Sequence, residues 1–249
     1  LDTHKPVRRN IENYALMDFS SLLEYDKTLL LAFNNNHNMF LDHVVLVFTS
    51  GYTWIPLYVS LFYLIVKNNE KWGRILLIMG SLALCMLISN AGNGGFVKPY
   101  IARLRPSSDP LLAHTLFLVN GYAPSGFSFF SAHACNAFSV AVFFMYLVRS
   151  RLLSIFLLVW AFIVVWTRLY LGVHYPSDIF VGMVAGTLNA SLCYLIYKRI
   201  ERHVAPLSTY RTKQFTRTGY EVKDIDVVLC TIVFTCIYCI IRGVIEIGL

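Results

Sequence analysis

Six side chains of this 249-residue sequence stand where an apolar chain gives them no obvious reason to be. Lys98 and Arg105 flank Pro99-Tyr100-Ile101-Ala102-Arg103-Leu104, with Pro106 following. His133 closes Ser131-Ala132-His133, Arg168 follows Thr167, and His174-Tyr175-Pro176-Ser177-Asp178 completes the set. Arginine offers a planar fork that fits phosphate oxygens, and lysine a point charge. An imidazole oriented by a carboxylate keeps one nitrogen free to attack or to bind metal. A hydroxyl at a helix start lies beside N–H groups that attract anions. Two imidazoles, one acid and a cationic cradle are what metal-free phosphoryl transfer needs. One imidazole attacks phosphorus, the other protonates the leaving oxygen, and the cations hold the remaining oxygens.

Each residue also has a plainer reading. Lys98, Arg103 and Arg105 would serve as a cationic stop after a helix, and His133 as a satisfied structural group. Arg168 would serve as a snorkelling anchor, and Asp178 as an acid offsetting a helix dipole. The elements that must position these residues decide between the readings.

Apolar residues make up 57% of the chain, charged residues 14%, and mean hydropathy is +0.58. That excludes a disordered chain, a basic nucleic-acid-binding domain and a disulfide-stapled module, and leaves a one-domain membrane protein. Runs free of Asp, Glu, Lys and Arg cover Val44 to Val66, Ile75 to Val97, Leu152 to Thr167, Ile179 to Tyr197 and Val227 to Ile241. The run from Pro110 to Val148 is 39 residues long, more than one crossing needs. Asn120-Gly121 and Pro124-Ser125-Gly126 break its first part into an apolar loop, and a helix starts near Ser131. The expectation is an all-α, polytopic bundle of about six transmembrane helices, with Gly51 and Pro56 interrupting the first.

Lys67, Lys71, Arg74, Arg149, Arg151 and seven cations between Lys198 and Lys223 fall on one face if the spans alternate, which makes that face cytoplasmic. The six candidate residues then share the outer face, at the ends of spans two to five. Residues 1–43 form an N-terminal tail with an interfacial amphipathic segment, and Leu1 in place of Met points to a removed leading segment. Residues 44–200 form the catalytic membrane domain, and 201–249 a cytoplasmic connection with a last transmembrane helix. Cys236 and Cys239 read as packing residues in an apolar run.

These residues resemble the three-part signature of the type 2 phosphatidic acid phosphatase (PAP2) superfamily, membrane lipid phosphatases related to vanadium haloperoxidases. Lys98 with Arg105-Pro106 meets its first part in full. Phe130-Ser131-Ala132-His133 stands for Pro-Ser-Gly-His, and Thr167-Arg168, His174 and Asp178 meet the third part with Thr in the Ser place. Pro124-Ser125-Gly126-Phe127 begins like the second part but has no histidine.

The resemblance implies a PAP2/haloperoxidase-like core and these roles: His174 the nucleophile forming a phosphohistidine, Asp178 orienting it, and His133 the general acid. Lys98, Arg105, Ser131, Ala132 (through its N–H) and Arg168 would hold the phosphate. It implies no metal and no cofactor. The substrate would be a lipid phosphate reached from the membrane, such as lipid A or undecaprenyl diphosphate, at the periplasmic face of the inner membrane. Partners would be membrane lipids, with no nucleic acid and no obligate protein partner. His114 and Asp109 are loose candidates for headgroup contact. Alternatives are a phosphatidylglycerol phosphate or phosphatidic acid phosphatase, or a non-catalytic lipid-phosphate binder or transporter.

Overall fold

The computed structural model describes residues 21–35, 37–204 and 214–248. Helix α1 covers 21–34, α2 Met39–Thr49 and α3 Ile55–Lys67. Helix α4 (Trp72–Leu87) runs on through a π-helical stretch, Ile88–Val97, into the single turn α5 (Lys98–Ile101). Helices α6 (Ala132–Val148), α7 (Arg151–Tyr170), α8 (Pro176–Val204) and α9 (Val222–Gly248) complete the bundle. Each expected span corresponds to a helical unit. Four are long and apolar enough to cross a membrane by themselves, and α6 is a shorter apolar helix. The remaining unit is broken: α2 and the segment Gly51–Lys67 meet at 65°, where a 3-10 turn, Gly51–Trp54, separates them and Pro56 opens α3. Helix α2 starts at Met39, ahead of the apolar run, because Asn38 caps it by accepting from the Leu41 N–H at 2.9 Å.

Helix α6 is the centre of the bundle, buried over most of its circumference. Two glycines let α8 approach it. A Cβ on Gly186 would stand 2.4 Å from the Cys135 carbonyl oxygen, and one on Gly182 would stand 2.7 Å from that of Ser131. Small residues are what membrane helices use to pack closely where no hydrophobic effect drives association. Polar ties reinforce the contact. Asn189 donates to the Cys85 carbonyl at 2.8 Å and to Ser89 Oγ at 3.0 Å, and Ser139 Oγ donates to the Gly186 carbonyl at 3.2 Å. Gly186→Leu is therefore expected to force α6 and α8 apart at about 1–3 kcal/mol. Thermal unfolding in detergent should show this as a Tm several degrees lower, and an unchanged Tm would contradict the close approach.

At the opposite end from the candidate residues, buried Glu201 gathers Arg74 Nε at 2.9 Å, Lys198 Nζ at 2.7 Å and Tyr197 OH at 2.6 Å. Helix α9 lies along α2 and α3, close enough that a Cβ on Gly243 would meet Val44 Cγ2 at 2.3 Å.

Candidate active site

The ends of α5, α6, α7 and α8 bring the candidate residues to one end of the bundle. His174 sits between α7 and α8, 2% exposed. Arg105 Nη1 lies 3.3 Å from His174 Nε2. An arginine N–H can only donate, so Nε2 carries the lone pair and Nδ1 carries the proton. On the Nδ1 side, Ser128 Oγ lies at 3.2 Å and hydrogen-bonds Asp178 Oδ2 in turn. Nδ1 of His174 and Oδ2 of Asp178 are themselves 3.7 Å apart, beyond hydrogen-bond range. The carboxylate thus orients the ring through the Ser128 hydroxyl, and the free nitrogen faces Arg105.

Asp178 is fully buried and heavily supported. It accepts from the Tyr175 N–H at 3.1 Å and from Arg103 Nη1 at 2.7 Å. Arg103 is held in turn by Asp26 of α1, Nη2 to Oδ2 at 2.6 Å, and lies 3.8 Å over the Tyr175 ring. Asp26 also accepts from the Ser177 N–H at 2.8 Å, in the first turn of α8. Helix α1 therefore reaches the site as a strut. Asp26→Asn should lower kcat about 10-fold with KM little moved, as loss of a supporting hydrogen bond to a catalytic group does elsewhere. Steady-state kinetics check it, and wild-type kcat would contradict the strut.

The cations Lys98, Arg105 and Arg168 have a different environment. Lys98 Nζ donates to the Phe127 carbonyl at 3.1 Å, and Arg105 Nε to the Gly126 carbonyl at 3.1 Å. Arg105 Nη1 also donates to the Val173 carbonyl at 3.1 Å. Arg168 is 1% exposed; its Nη1 donates to Thr49 Oγ1 at 2.6 Å and to Tyr122 OH at 3.4 Å, and its Nε has no partner among the described residues. All these partners are neutral. A buried guanidinium without a carboxylate is costly unless an anion arrives.

Ser131 is fully buried, and its hydroxyl caps α6 by accepting from the Ala134 N–H at 3.4 Å. What the helix start leaves for an anion is the N–H of Ala132 and that of His133, which have no intrahelical acceptor. The His133 ring is half-buried in that first turn. Thr167 Oγ1 bonds Thr49 Oγ1 at 3.3 Å and the Val164 carbonyl at 2.7 Å, so it braces Thr49 behind Arg168. Asp109 binds Lys27 Nζ at 3.0 Å and Tyr175 OH at 3.0 Å, a tie between α1 and the loop, and His114 is exposed.

Burial is the main force on His174. It drives the imidazole below its usual 6.5 to about 4, Arg168 and Arg105 push the same way, and the interaction with Asp178 pulls against them. The ring is then neutral and nucleophilic throughout the neutral range. The expected acid limb of kcat/KM, which reports the free enzyme, has its midpoint near 4, not near 6.5. A pH profile checks this, and activity already halved at 6.5 by loss of the base would contradict it.

A match to the PAP2 superfamily covers residues 74–202, from α4 to the last turns of α8. The chain belongs to the PAP2 superfamily. Two relatives support that membership. The lipid A 4'-phosphatase of Bacteroides thetaiotaomicron is 38% identical over 72% of this chain and 80% of its own length. The lipid A 4'-phosphatase of Porphyromonas gingivalis is 30% identical over 71% and 74%. The crystal structure of a transmembrane PAP2-type phosphatidylglycerolphosphate phosphatase from Bacillus subtilis matches with a TM-score of 0.55. It covers 77% of this chain and 90% of that one at 23% identity, a likeness of fold. This PAP2 protein is a multi-pass membrane phosphatase. Sequence reasoning missed Ser128, Thr49, Tyr122 and Asp26, because hydroxyls and one acid outside the signature carry no spacing of their own.

Proposed function

We propose that this PAP2 protein removes a phosphate from a lipid phosphate or diphosphate at the outer face of the membrane, through a phosphohistidine on His174, and that a lipid A-type glycolipid is its substrate. One observation carries the chemistry: Arg105 faces the free nitrogen of an oriented histidine, and Arg105, Lys98 and Arg168 at the same end of the bundle have only neutral hydrogen-bond partners among the described residues. A phosphate supplies the missing negative charge.

The steps follow from the placement. His174 Nε2 attacks phosphorus, the N–P bond forms and the P–O bond to the lipid breaks. His133, protonated once the bound phosphate sets its negative charge beside the ring, gives its proton to the departing oxygen. Neutral His133 then takes a proton from water, the hydroxide attacks phosphorus, and the N–P bond breaks to release phosphate and regenerate His174. Asp178, through Ser128, stabilises the positive charge that develops on His174.

Two strands support the substrate and the side. The two lipid A 4'-phosphatases are the relatives described above, and the positive-inside bias assigns the Arg74–Glu201 end to the cytoplasm, opposite the site. Phosphate release by the purified protein should be measured on lipid A, undecaprenyl diphosphate, phosphatidylglycerol phosphate and phosphatidic acid. Highest kcat/KM on lipid A is the expected result. No release from any of them contradicts the phosphatase reading.

A further inference from the structure

Helix α9 lies beyond the residues matched to the PAP2 superfamily and supplies nothing to the phosphoryl-transfer steps. It is fixed at both ends. Near its start, Asp224 accepts from Tyr63 OH at 3.0 Å and from Asn68 Nδ2 at 2.9 Å. Near its end, Gly243 packs on Val44 of α2. Helix α2 is tied in turn to the end of the bundle that carries the candidate site, where Asp42 accepts from Tyr170 OH at 2.7 Å. Between these two anchors the first span bends by 65°. A continuous helix cannot follow both arms of such a bend closely, and a groove of about 690 Å³ opens at the elbow.

Val47 and Thr53 line one wall of this groove, and Thr231, Thr235, Tyr238 and Arg242 the other. The second set shares one face of α9 and covers about 16 Å of its length. The threonine hydroxyls turn back onto carbonyls of the chain: Thr231 to Val227 at 2.8 Å, Thr235 to Thr231 at 2.7 Å and Thr53 to Val47 at 2.6 Å. They place no polar demand on an occupant. Phe234 and Tyr238 are exposed on a helix long and apolar enough to cross the membrane, so the groove opens on lipid. Arg242 is the first charge after the apolar run that ends at Ile241, which sets it at headgroup depth. Its Nη2 donates to Glu246 at 2.7 Å, and its Nε and Nη1 have no partner among the described residues. The two side chains are 42% and 38% exposed, and an ion pair this open contributes little by itself.

We propose that this groove holds one phosphatidylethanolamine, with an acyl chain along α9 and the headgroup on Arg242 and Glu246. The charge pattern selects the headgroup. Its phosphodiester accepts from the free N–H groups of Arg242, and its ammonium donates to Glu246. Ethanolamine phosphate carries its two opposite charges a few bonds apart, as the side-chain pair does. Phosphatidylglycerol brings no cation to Glu246, and the trimethylammonium of phosphatidylcholine has no N–H to donate. Ser50 also lines the groove, next in sequence to Thr49, which holds Arg168. An acyl chain there braces the elbow from the lipid side, and the bound molecule is a resident lipid distinct from the substrate.

The test uses the full chain, stripped of lipid in detergent, with phosphatidylethanolamine, phosphatidylglycerol and phosphatidylcholine of matched acyl chains as probes. Native mass spectrometry should retain one phosphatidylethanolamine per chain, with an affinity about 10-fold above that of the other two lipids. The Tm should rise as that lipid is added. Arg242→Leu should lower its affinity about 10-fold, and Glu246→Gln should remove the preference over phosphatidylglycerol. Thr231→Trp, whose ring fills the groove, should abolish retention. It keeps the site testable should loss of the Arg242 pair disturb the end of α9. Retention unchanged in Arg242→Leu or in Thr231→Trp overturns the site. Equal binding of the three lipids overturns the assignment of the headgroup. Both readouts are binding, so they stand apart from any failure of the phosphatase reading.

Discussion

His174→Ala abolishes phosphate release from every lipid phosphate that the wild-type protein hydrolyses, with kcat falling by about 10^4-fold or more. The size of the loss follows from the site. Ser128 and Asp178 orient the ring from the Nδ1 side, and Arg105 holds Nε2 at 3.3 Å. A neighbouring group could accept the water's proton, but among the described residues no other imidazole has one nitrogen on the carboxylate side and the other against an arginine. His174→Gln, closer in volume, separates the chemical loss from a packing loss, since the side chain is almost fully buried. Both variants should lose release alike. A lipid-phosphate binder or transporter without catalysis would show no release in the wild type and no change in lipid binding on substitution. Phosphate release that survives in either variant contradicts the nucleophile.

Arg168→Met has an effect of opposite sign on activity and stability. The guanidinium is buried against Thr49, Tyr122 and nothing charged, with Nε unpartnered among the described residues. Arg105 and Lys98 add repulsion from the same region. Without an anion, this cation destabilises the fold, so a methionine of similar length should leave Tm unchanged or higher in detergent. With substrate present the same change removes a charge-assisted contact to the phosphate. The expected loss in kcat/KM is about 10^2 to 10^3-fold. Arg103 is the control that the geometry supplies. It is paired to both Asp26 and Asp178, so Arg103→Met should lower Tm as well as kcat. Kinetics and thermal unfolding of the two variants, measured side by side, check the distinction. A lower Tm for Arg168→Met would contradict the reading of Arg168 as a cation awaiting its anion.

What the sequence made legible depended on how costly a residue is at membrane depth. Lys98, Arg105, Arg168, His133, His174 and Asp178 stood out because charge and imidazole are rare in apolar runs, and their spacing could then be read. Gly51 and Pro56 announced the interruption that the structure shows as a 65° bend. Ser128 was invisible, since a hydroxyl is unremarked between phenylalanines, and its two partners lie 46 and 50 residues away. Thr49 is further still from Arg168, at 119 residues. Asp26 looked like one charge in a polar amphipathic segment, and only the fold brings α1 across to Arg103 and Ser177. The reach of Asp178 to His174 was read from four-residue spacing, whereas the chain inserts Ser128 between them. The π-helical register of Ile88–Val97 leaves no mark that hydrophobic periodicity could reveal.

The most direct measurement is the capture of the phosphorylated intermediate. His133→Ala slows its breakdown, because no imidazole then activates the water, and it slows its formation too, so the reaction is followed through a complete single turnover. Rapid quenching of this variant with lipid phosphate carrying labelled phosphorus should yield an alkali-stable, acid-labile phosphoryl group. Mass spectrometry should place it on Nε2 of His174. Label on another residue, or single-turnover phosphate release with no covalent intermediate, would contradict the account.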